Sequence, residues 1–143
     1  MKEIVINKCY GGFGLSYKGV MHYAKLKGIK LYAYTDEAST PDGRYIPPDK
    51  RKLKEYDGSR DQLFVYYATK PCKNCKQLNE NYYHPYDMKR DDPDLIKTVE
   101  QLGKKANGSF AELSIVEIPD GTHYLIDDYD GIEHIAEEHM TWY

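Results

Sequence analysis

The stretch of residues 4–16, IVINKCYGGFGLS, constrains the fold more than any other part of the chain. Its first three residues form a continuous apolar run, which is typical of a strand covered on both faces. Glycine reaches backbone angles that are closed to other residues, so the following glycines predict a tight loop. These glycines are Gly11, Gly12 and Gly14. Ser16 is a favourable helix N-cap, and the stretch therefore predicts a strand, a glycine-rich loop and a helix start.

Hydrophobic spacing in the remaining sequence predicts two further helices and four further strands. The first helix is expected to end near Gly28, and the second to begin after Asp92, with Pro93 in its first turn. A third helix is expected after Asp130, because Asp130 and Glu133 resemble a capping box. The five predicted strands cover residues 3–9, 30–35, 62–69, 112–118 and 123–127.

The order β-α-β-β-α-β-β-α predicts a single compact α+β domain with a mixed sheet over residues 1–143. The first three elements would form a β-α-β unit, and the turn at 119–122 would join the last two strands as a hairpin. Long polar stretches at about 36–60 and 70–90 lack a period and are expected to be irregular insertions. The expected apolar face of the third helix is Ile132, Ile135, Ala136 and His139, and Trp142 is expected to dock the C-terminus.

Cysteine content and hydropathy indicate the broad class of the protein. Three cysteines are too few for a secreted disulfide scaffold. No apolar run approaches the length of a membrane span, and the first residues lack a signal-peptide pattern. These features predict a cytoplasmic protein without a membrane partner.

Charge is divided unevenly along the chain, whose net charge is −3. All 20 Lys and Arg lie in residues 1–105, whereas residues 106–143 carry nine acidic side chains and no Lys or Arg. The segment 44–76 has a net charge of +5 and four interleaved tyrosines. Such a segment can bind phosphates and stack bases, or it can be a solvated stretch that balances the acidic end of the chain.

The glycine-rich loop is a candidate ligand site, because a helix N-terminus that follows a strand offers backbone N–H groups to an anion. The spacing of its glycines matches neither a P-loop nor a dinucleotide-binding motif. The alternative is a structural turn tucked under Tyr10 and Phe13. The candidate ligand-binding residues, which include two arginines from the basic middle, are Lys8, Tyr10, Gly11, Gly12, Gly14, Ser16, Arg44 and Arg60.

Cys72 and Cys75 form a Cys-x-x-Cys pair, which can hold zinc if Cys9 or His84 completes the ligand set. Two neighbouring lysines are expected to lower the pKa of both thiols and to favour thiolates. The alternative is a loop with two free thiols and no cofactor.

Carboxylates near the C-terminus predict an acidic face. It consists of Asp127, Asp128, Asp130, Glu133 and Glu137. The pattern does not match a calcium loop, and the spacing of the nearby histidines matches no zinc-protease helix. No spacing pairs Ser16 or Cys9 with a histidine as in a catalytic triad, so the sequence favours a protein that is not an enzyme.

Short motifs at the two ends of the chain carry a family resemblance. The first is NKCYGGFGLS at residues 7–16. The others lie at residues 91–93, 99–103, 115–119 and 129–133, followed by His139 and Trp142. Together they resemble an uncharacterised family of small phage and prophage proteins. The resemblance covers roughly the first and last thirds of the chain and implies a phage setting, but it brings no activity with it.

The sequence leaves three functional hypotheses open. The first is a phage or prophage accessory protein that counters host defence by binding, without catalysis; its partner would be a host defence protein or a nucleotide second messenger. The second is a nucleotide- or metal-dependent enzyme. The third is an acidic mimic of nucleic acid that blocks a nucleic-acid-handling protein. Tyrosine-rich edges would also suit a homo-oligomer.

Overall fold

A computed structural model of the chain describes residues 1–36, 40–47, 50–59 and 64–138. It contains both helices and antiparallel sheets, so the predicted α+β class is confirmed. The sequence predicts one domain, and the residue contacts group into two compact units. Unit 1 comprises Met1–Tyr23 and the chain from Tyr86 onward, and unit 2 comprises Ala24–Pro85.

The regular elements follow one another in this order: β1 (Lys2–Asn7), α1 (Tyr17–Lys27), β2 (Tyr32–Asp36), β3 (Leu53–Glu55), β4 (Tyr66–Ala68), α2 (Cys75–Glu80), β5 (Tyr82–Tyr83), α3 (Pro93–Leu102), a 3-10 turn (Gly103–Ala106), β6 (Leu113–Ile118), β7 (Tyr124–Tyr129) and β8 (Ile132–Glu137). In unit 1, β1 pairs with β6 and β7 pairs with β8. In unit 2, four strands form a sheet in the order β3-β2-β4-β5. The boundary between the units falls within α1.

Unit 1 has a core of apolar side chains from β1, α1 and α3. It includes Ile4, Val5, Val20, Tyr23, Leu95 and Val99. Helix α3 begins as predicted, because the carboxylate of Asp92 accepts a hydrogen bond from the backbone N–H of Asp94 and Pro93 occupies the first turn. The helix ends at Leu102, since Gly103 adopts a positive φ of 57° and the chain continues as a 3-10 turn.

Unit 2 places regular structure in stretches that the sequence predicts to be irregular. β3 lies within residues 36–60, and both α2 and β5 lie within residues 70–90. These elements have only 3, 6 and 2 residues, which is too short for a hydrophobic period to appear. The core of unit 2 contains Tyr34, Ala68, Cys72 and Leu78. Part of the third predicted strand, together with Arg60, lies outside the described residues.

Strand pairing differs from the prediction in two ways. β1 and β2 do not share a sheet, and every ladder between described strands is antiparallel, so neither the β-α-β unit nor the mixed sheet is present among them. The turn at 119–122 exists, with the N–H of Thr122 donating to the carbonyl of Pro119. The strands on either side of it pair elsewhere: β6 pairs with β1, and β7 pairs with β8.

The third predicted helix is wrong, because its first two turns form β8. Asp130 and Gly131 have φ angles of 50° and 91° and form the two-residue turn of the β7–β8 hairpin. Positive φ at both positions matches a type I′ turn, for which Asp-Gly is a preferred sequence. Asp130 is therefore a turn residue and not an N-cap. His139 and Trp142, assigned to the same helix, lie outside the described residues.

Replacement of Gly131 by alanine should destabilise the protein strongly. The added Cβ would lie 2.5 Å from the carbonyl carbon of Gly11, in addition to the strain of a positive φ. We expect the free energy of unfolding to fall by about 3 kcal/mol. Gly121→Ala is the matched control, because Gly121 has a φ of 78° but open space around its Cβ position, and it should cost about 1 kcal/mol. Equal losses in urea unfolding would contradict the close packing at Gly131.

Candidate functional site

The glycine-rich loop of unit 1 is hydrogen-bonded to two other turns, one at Asp130 and one at Phe110. The N–H of Gly11 donates to the carbonyl of Asp130 at 3.2 Å, and the N–H of Gly12 donates to the carbonyl of Phe110 at 3.3 Å. A Cβ on Gly11 would lie 2.3 Å from the Phe110 oxygen, which explains why glycine is needed there. Two amides that the phosphate hypothesis requires are thus bonded to the chain's own carbonyls, and the geometry favours the structural turn.

The other candidate ligands of the loop have structural contacts or point to solvent. The hydroxyl of Ser16 accepts a hydrogen bond from the N–H of Gly19 at 3.1 Å, so Ser16 caps α1 as predicted. The same hydroxyl donates to the carbonyl of Lys105. Lys8 is exposed, and its N–H donates to the carbonyl of Glu112 at 2.8 Å. A Cβ added at Gly14 would lie 3.8 Å from the hydroxyl of Tyr86, so Gly14 faces that phenol.

Asn7, at the end of β1, forms hydrogen bonds with the glycine-rich loop, with the turn between β7 and β8 and with the segment that leads into β6. Its side chain is fully buried. The amide NH₂ donates to the carbonyls of Cys9 and Gly131 at 2.9 and 2.7 Å. The amide oxygen accepts from the N–H of Glu112 at 2.8 Å. Buried polar groups are costly unless they are hydrogen-bonded, and Asn7 therefore fixes the positions of the segments that it joins.

Arg90, which is half-buried, forms an ion pair with the buried carboxylate of Glu133 beside Asn7. Two guanidinium nitrogens donate to the two carboxylate oxygens at 2.6 and 2.8 Å, and the backbone N–H of Asn7 adds a third bond to Glu133 at 2.8 Å. The guanidinium also lies over the ring of Phe13, 3.6 Å from its centroid. Burial alone would raise the pKa of Glu133, but the hydrogen bonds and charge of Arg90, with the Asn7 bond, lower it below 4.5.

Glu133 is consequently not part of an acidic face, which corrects the prediction. Glu133 has only 8% of its surface exposed to solvent. The other four carboxylates of the predicted face are exposed, and Asp127 lies 3.4 Å from His134 on the neighbouring strand. The exposed members are Asp127, Asp128, Asp130 and Glu137.

The Cys-x-x-Cys pair does not fit the proposed zinc site. The thiol of Cys72 is buried in unit 2 and lies 3.2 Å from the carbonyl of Lys70. Burial raises the pKa of the Cys72 thiol, and burial together with Asp36 raises that of Cys75, so the predicted lowering by neighbouring lysines is wrong. Within the described parts of the chain, no three His, Cys, Asp or Glu side chains are grouped so as to hold a metal ion.

Arg44, predicted as a ligand contact, lies on the surface of unit 2. Its Nε is 3.1 Å from a carboxylate oxygen of Asp42, and its N–H donates to the hydroxyl of Thr40. Both partners belong to the same short turn, so these contacts order the turn locally. Arg60, the other predicted arginine, lies outside the described residues.

A groove of about 860 Å³ lies on unit 1 and was not predicted from the sequence. It is lined by the segment 109–115, which leads into β6, and by residues of α3 and of the 3-10 turn that follows α3. The aromatic side chains of Tyr10 and Phe110 both line it and are 67% and 65% exposed. The remaining lining residues are Cys9, Val99, Gly103, Lys104, Asn107, Ser109, Ala111, Glu112, Leu113, Ser114 and Ile115.

Sequence reasoning identified Tyr10 but missed Phe110. The sequence feature that could have indicated Phe110 is its position directly after Asn107-Gly108-Ser109, where a large apolar residue follows a sequence typical of a turn. An aromatic side chain in such a position is expected either to pack inward or to serve recognition. The N–H of Gly12 and the thiol of Cys9 both donate to the carbonyl of Phe110, and these bonds hold the loop that carries Tyr10 beside Phe110.

Comparisons of the chain with protein-family models, with curated proteins and with solved structures gave no match.

In the described part of the chain, no helix has the length and apolar character needed to cross a membrane.

The ion pair predicts an acid-dependent stability. Because folding lowers the pKa of Glu133 below 4.5, its contribution is present above pH 4.5 and is lost as the pH falls through the lower folded-state value. Glu133→Gln should reduce the free energy of unfolding at neutral pH by about 2 kcal/mol, because the charged hydrogen bonds to Arg90 are weakened.

Urea unfolding across a pH series tests this prediction. The variant should lose less stability than the wild type between neutral pH and the acidic range below 4.5. Glu137→Gln, an exposed change on the same strand, is the control and should follow the wild type. Parallel pH profiles for Glu133→Gln and the wild type would contradict the assigned role.

Proposed function

We propose that this protein is a non-catalytic binding module whose partner occupies the groove of unit 1. The observation that carries the proposal is the pair Tyr10 and Phe110, two large aromatic side chains that line one groove while most of their surface is exposed. Exposed aromatic residues are enriched at the centres of protein interfaces. Covering one such side chain contributes about 1.5–3 kcal/mol of favourable free energy.

The support beneath this groove suits recognition, because the loops that carry the aromatic residues are held in place before binding. Gly11 and Gly12 are bonded to the neighbouring turns, and Asn7 joins the same turns from within. Residues that are already ordered lose little conformational entropy when a partner binds. A preorganised surface of this kind favours a macromolecular partner that covers several side chains at once.

The glycine-rich loop bears on the choice between a nucleotide and a protein partner. Its Gly11 and Gly12 amides are bonded to the chain's own carbonyls and are not directed at an anion. The protein partner is therefore the better supported version of the hypothesis. The resemblance of both chain ends to small phage and prophage proteins adds a setting, and we propose that the partner is a host defence protein whose action is blocked by binding.

Expression in bacteria that carry individual defence systems tests the proposal. Wild-type protein should raise the plating efficiency of a phage that one of these systems restricts. The double variant Tyr10→Ala/Phe110→Ala should lose this effect, because it removes both aromatic side chains of the groove. Tyr129→Ala is the control: Tyr129 is 75% exposed, outside the groove lining, and should be dispensable.

Folding of each variant is checked by circular dichroism and thermal unfolding. A double variant that is folded and protects phage as well as the wild type would overturn the assignment of the groove. Protection lost equally in Tyr129→Ala would show that exposed aromatic surface in general, and not the groove, is responsible.

A further inference from the structure

β6 has one paired edge and one edge with no strand partner among the described residues. Hydrogen bonds fix which residues point to which edge. Glu112 faces β1, since its carbonyl accepts from the N–H of Lys8 and its N–H donates to the Asn7 side chain. Leu113 faces the opposite way, with its N–H bonded to Asn107. In an antiparallel ladder this direction alternates, so the backbone groups of Ile115 and Glu117 point away from β1.

The groove lies along this part of the chain. Its lining includes the segment 109–115, so the backbone leading into β6 forms one wall. Val99 of α3, together with Gly103 and Lys104 of the 3-10 turn, also lines the groove. An extended peptide beside such an edge can form main-chain hydrogen bonds with it while alternate side chains enter the groove.

Two opposed carboxylates at the far end of β6 indicate the charge of the occupant. Glu3 and Glu117 lie directly opposite each other in the β1–β6 ladder. Loss of hydration raises the pKa of Glu3 above its usual value, and the negative charges of Glu100 on α3 and of Glu117 raise it further. Like charges that face each other across a ladder are destabilising, and a cation placed among them would remove that penalty.

We propose that the free edge of β6 binds an extended segment of a partner protein by strand addition, with a Lys or Arg of that segment placed against Glu3 and Glu117. The inference rests on the proposed binding function and names the class of partner segment. The main chain supplies the hydrogen bonds, the groove receives apolar side chains, and the carboxylates select for a basic residue. Lys104, at the other end of the groove, disfavours a second basic residue there.

Short synthetic peptides of alternating Val and Thr serve as probes, one with a central Lys and one with a central Glu. ¹⁵N-labelled protein is titrated with each peptide, and amide hydrogen exchange is measured with and without it. The Lys peptide should bind more tightly and should slow exchange at Ile115 and Glu117. Tighter binding of the Glu peptide, or unchanged exchange at both amides, would overturn the proposal.

A proline variant tests the main-chain bonds separately from the side chains. Ile115→Pro removes an outward N–H and leaves the bonds to β1, and proline is tolerated where a strand edge faces solvent. It should abolish binding of the Lys peptide, whereas Ile115→Val, which keeps the N–H, should retain it. Unchanged binding by a folded Ile115→Pro variant would exclude strand addition.

Charge reversal tests the selectivity without altering the core and remains informative if Ile115→Pro does not fold. Glu117→Lys should weaken the Lys peptide by about fivefold or more and strengthen the Glu peptide. Unchanged preference for the Lys peptide would overturn the role of the carboxylates.

The peptide and plating experiments can fail independently. If neither peptide binds but the Tyr10→Ala/Phe110→Ala variant loses phage protection, strand addition is excluded and the groove keeps its proposed function. If the Lys peptide binds as expected but the wild-type protein raises the plating efficiency of no phage tested, the free edge of β6 is a peptide-binding site and the counter-defence function is excluded.

Discussion

The ion pair between Arg90 and the buried carboxylate of Glu133 organises the described part of unit 1. A carboxylate with so little exposure is stable only if its charge is compensated and its oxygens are hydrogen-bonded. Arg90 and the N–H of Asn7 satisfy both conditions, and the Asn7 side chain then joins the glycine-rich loop to the β7–β8 turn. The same contact thus stabilises β8 against β1 and fixes the turns that carry Tyr10.

The groove and the free edge of β6 follow from this arrangement. β1 is occupied on both sides, by β6 along one edge and by Arg90 and Glu133 along the other. β6 receives only β1 among the described strands, so its second edge remains available beside α3. A strand edge next to a groove is a recognition surface, and the carboxylates that face each other at its end give that surface a preferred charge.

Local sequence signals predicted some elements well and failed where two patterns overlap. β1, α1 and the start of α3 were predicted because their periodicity and caps are local properties of the chain. Residues 130–137 fit both an amphipathic helix and an alternating strand. The Asp130-Gly131 dipeptide, a strong type I′ signal, was outweighed by an apparent capping box. β3, α2 and β5 were missed because elements this short are stabilised by their neighbours.

The α+β class, the glycines of the tight loop and the cap residues Ser16 and Asp92 can be predicted from the amino-acid sequence, since they depend on local backbone geometry. The strand pairing, the burial of Glu133 and the position of Tyr10 and Phe110 in one groove become visible only in the folded chain. These features join residues that are far apart in the chain. The free energy of such contacts depends on which charged and polar groups are buried together in the fold. Composition and local spacing do not show which distant residues these are.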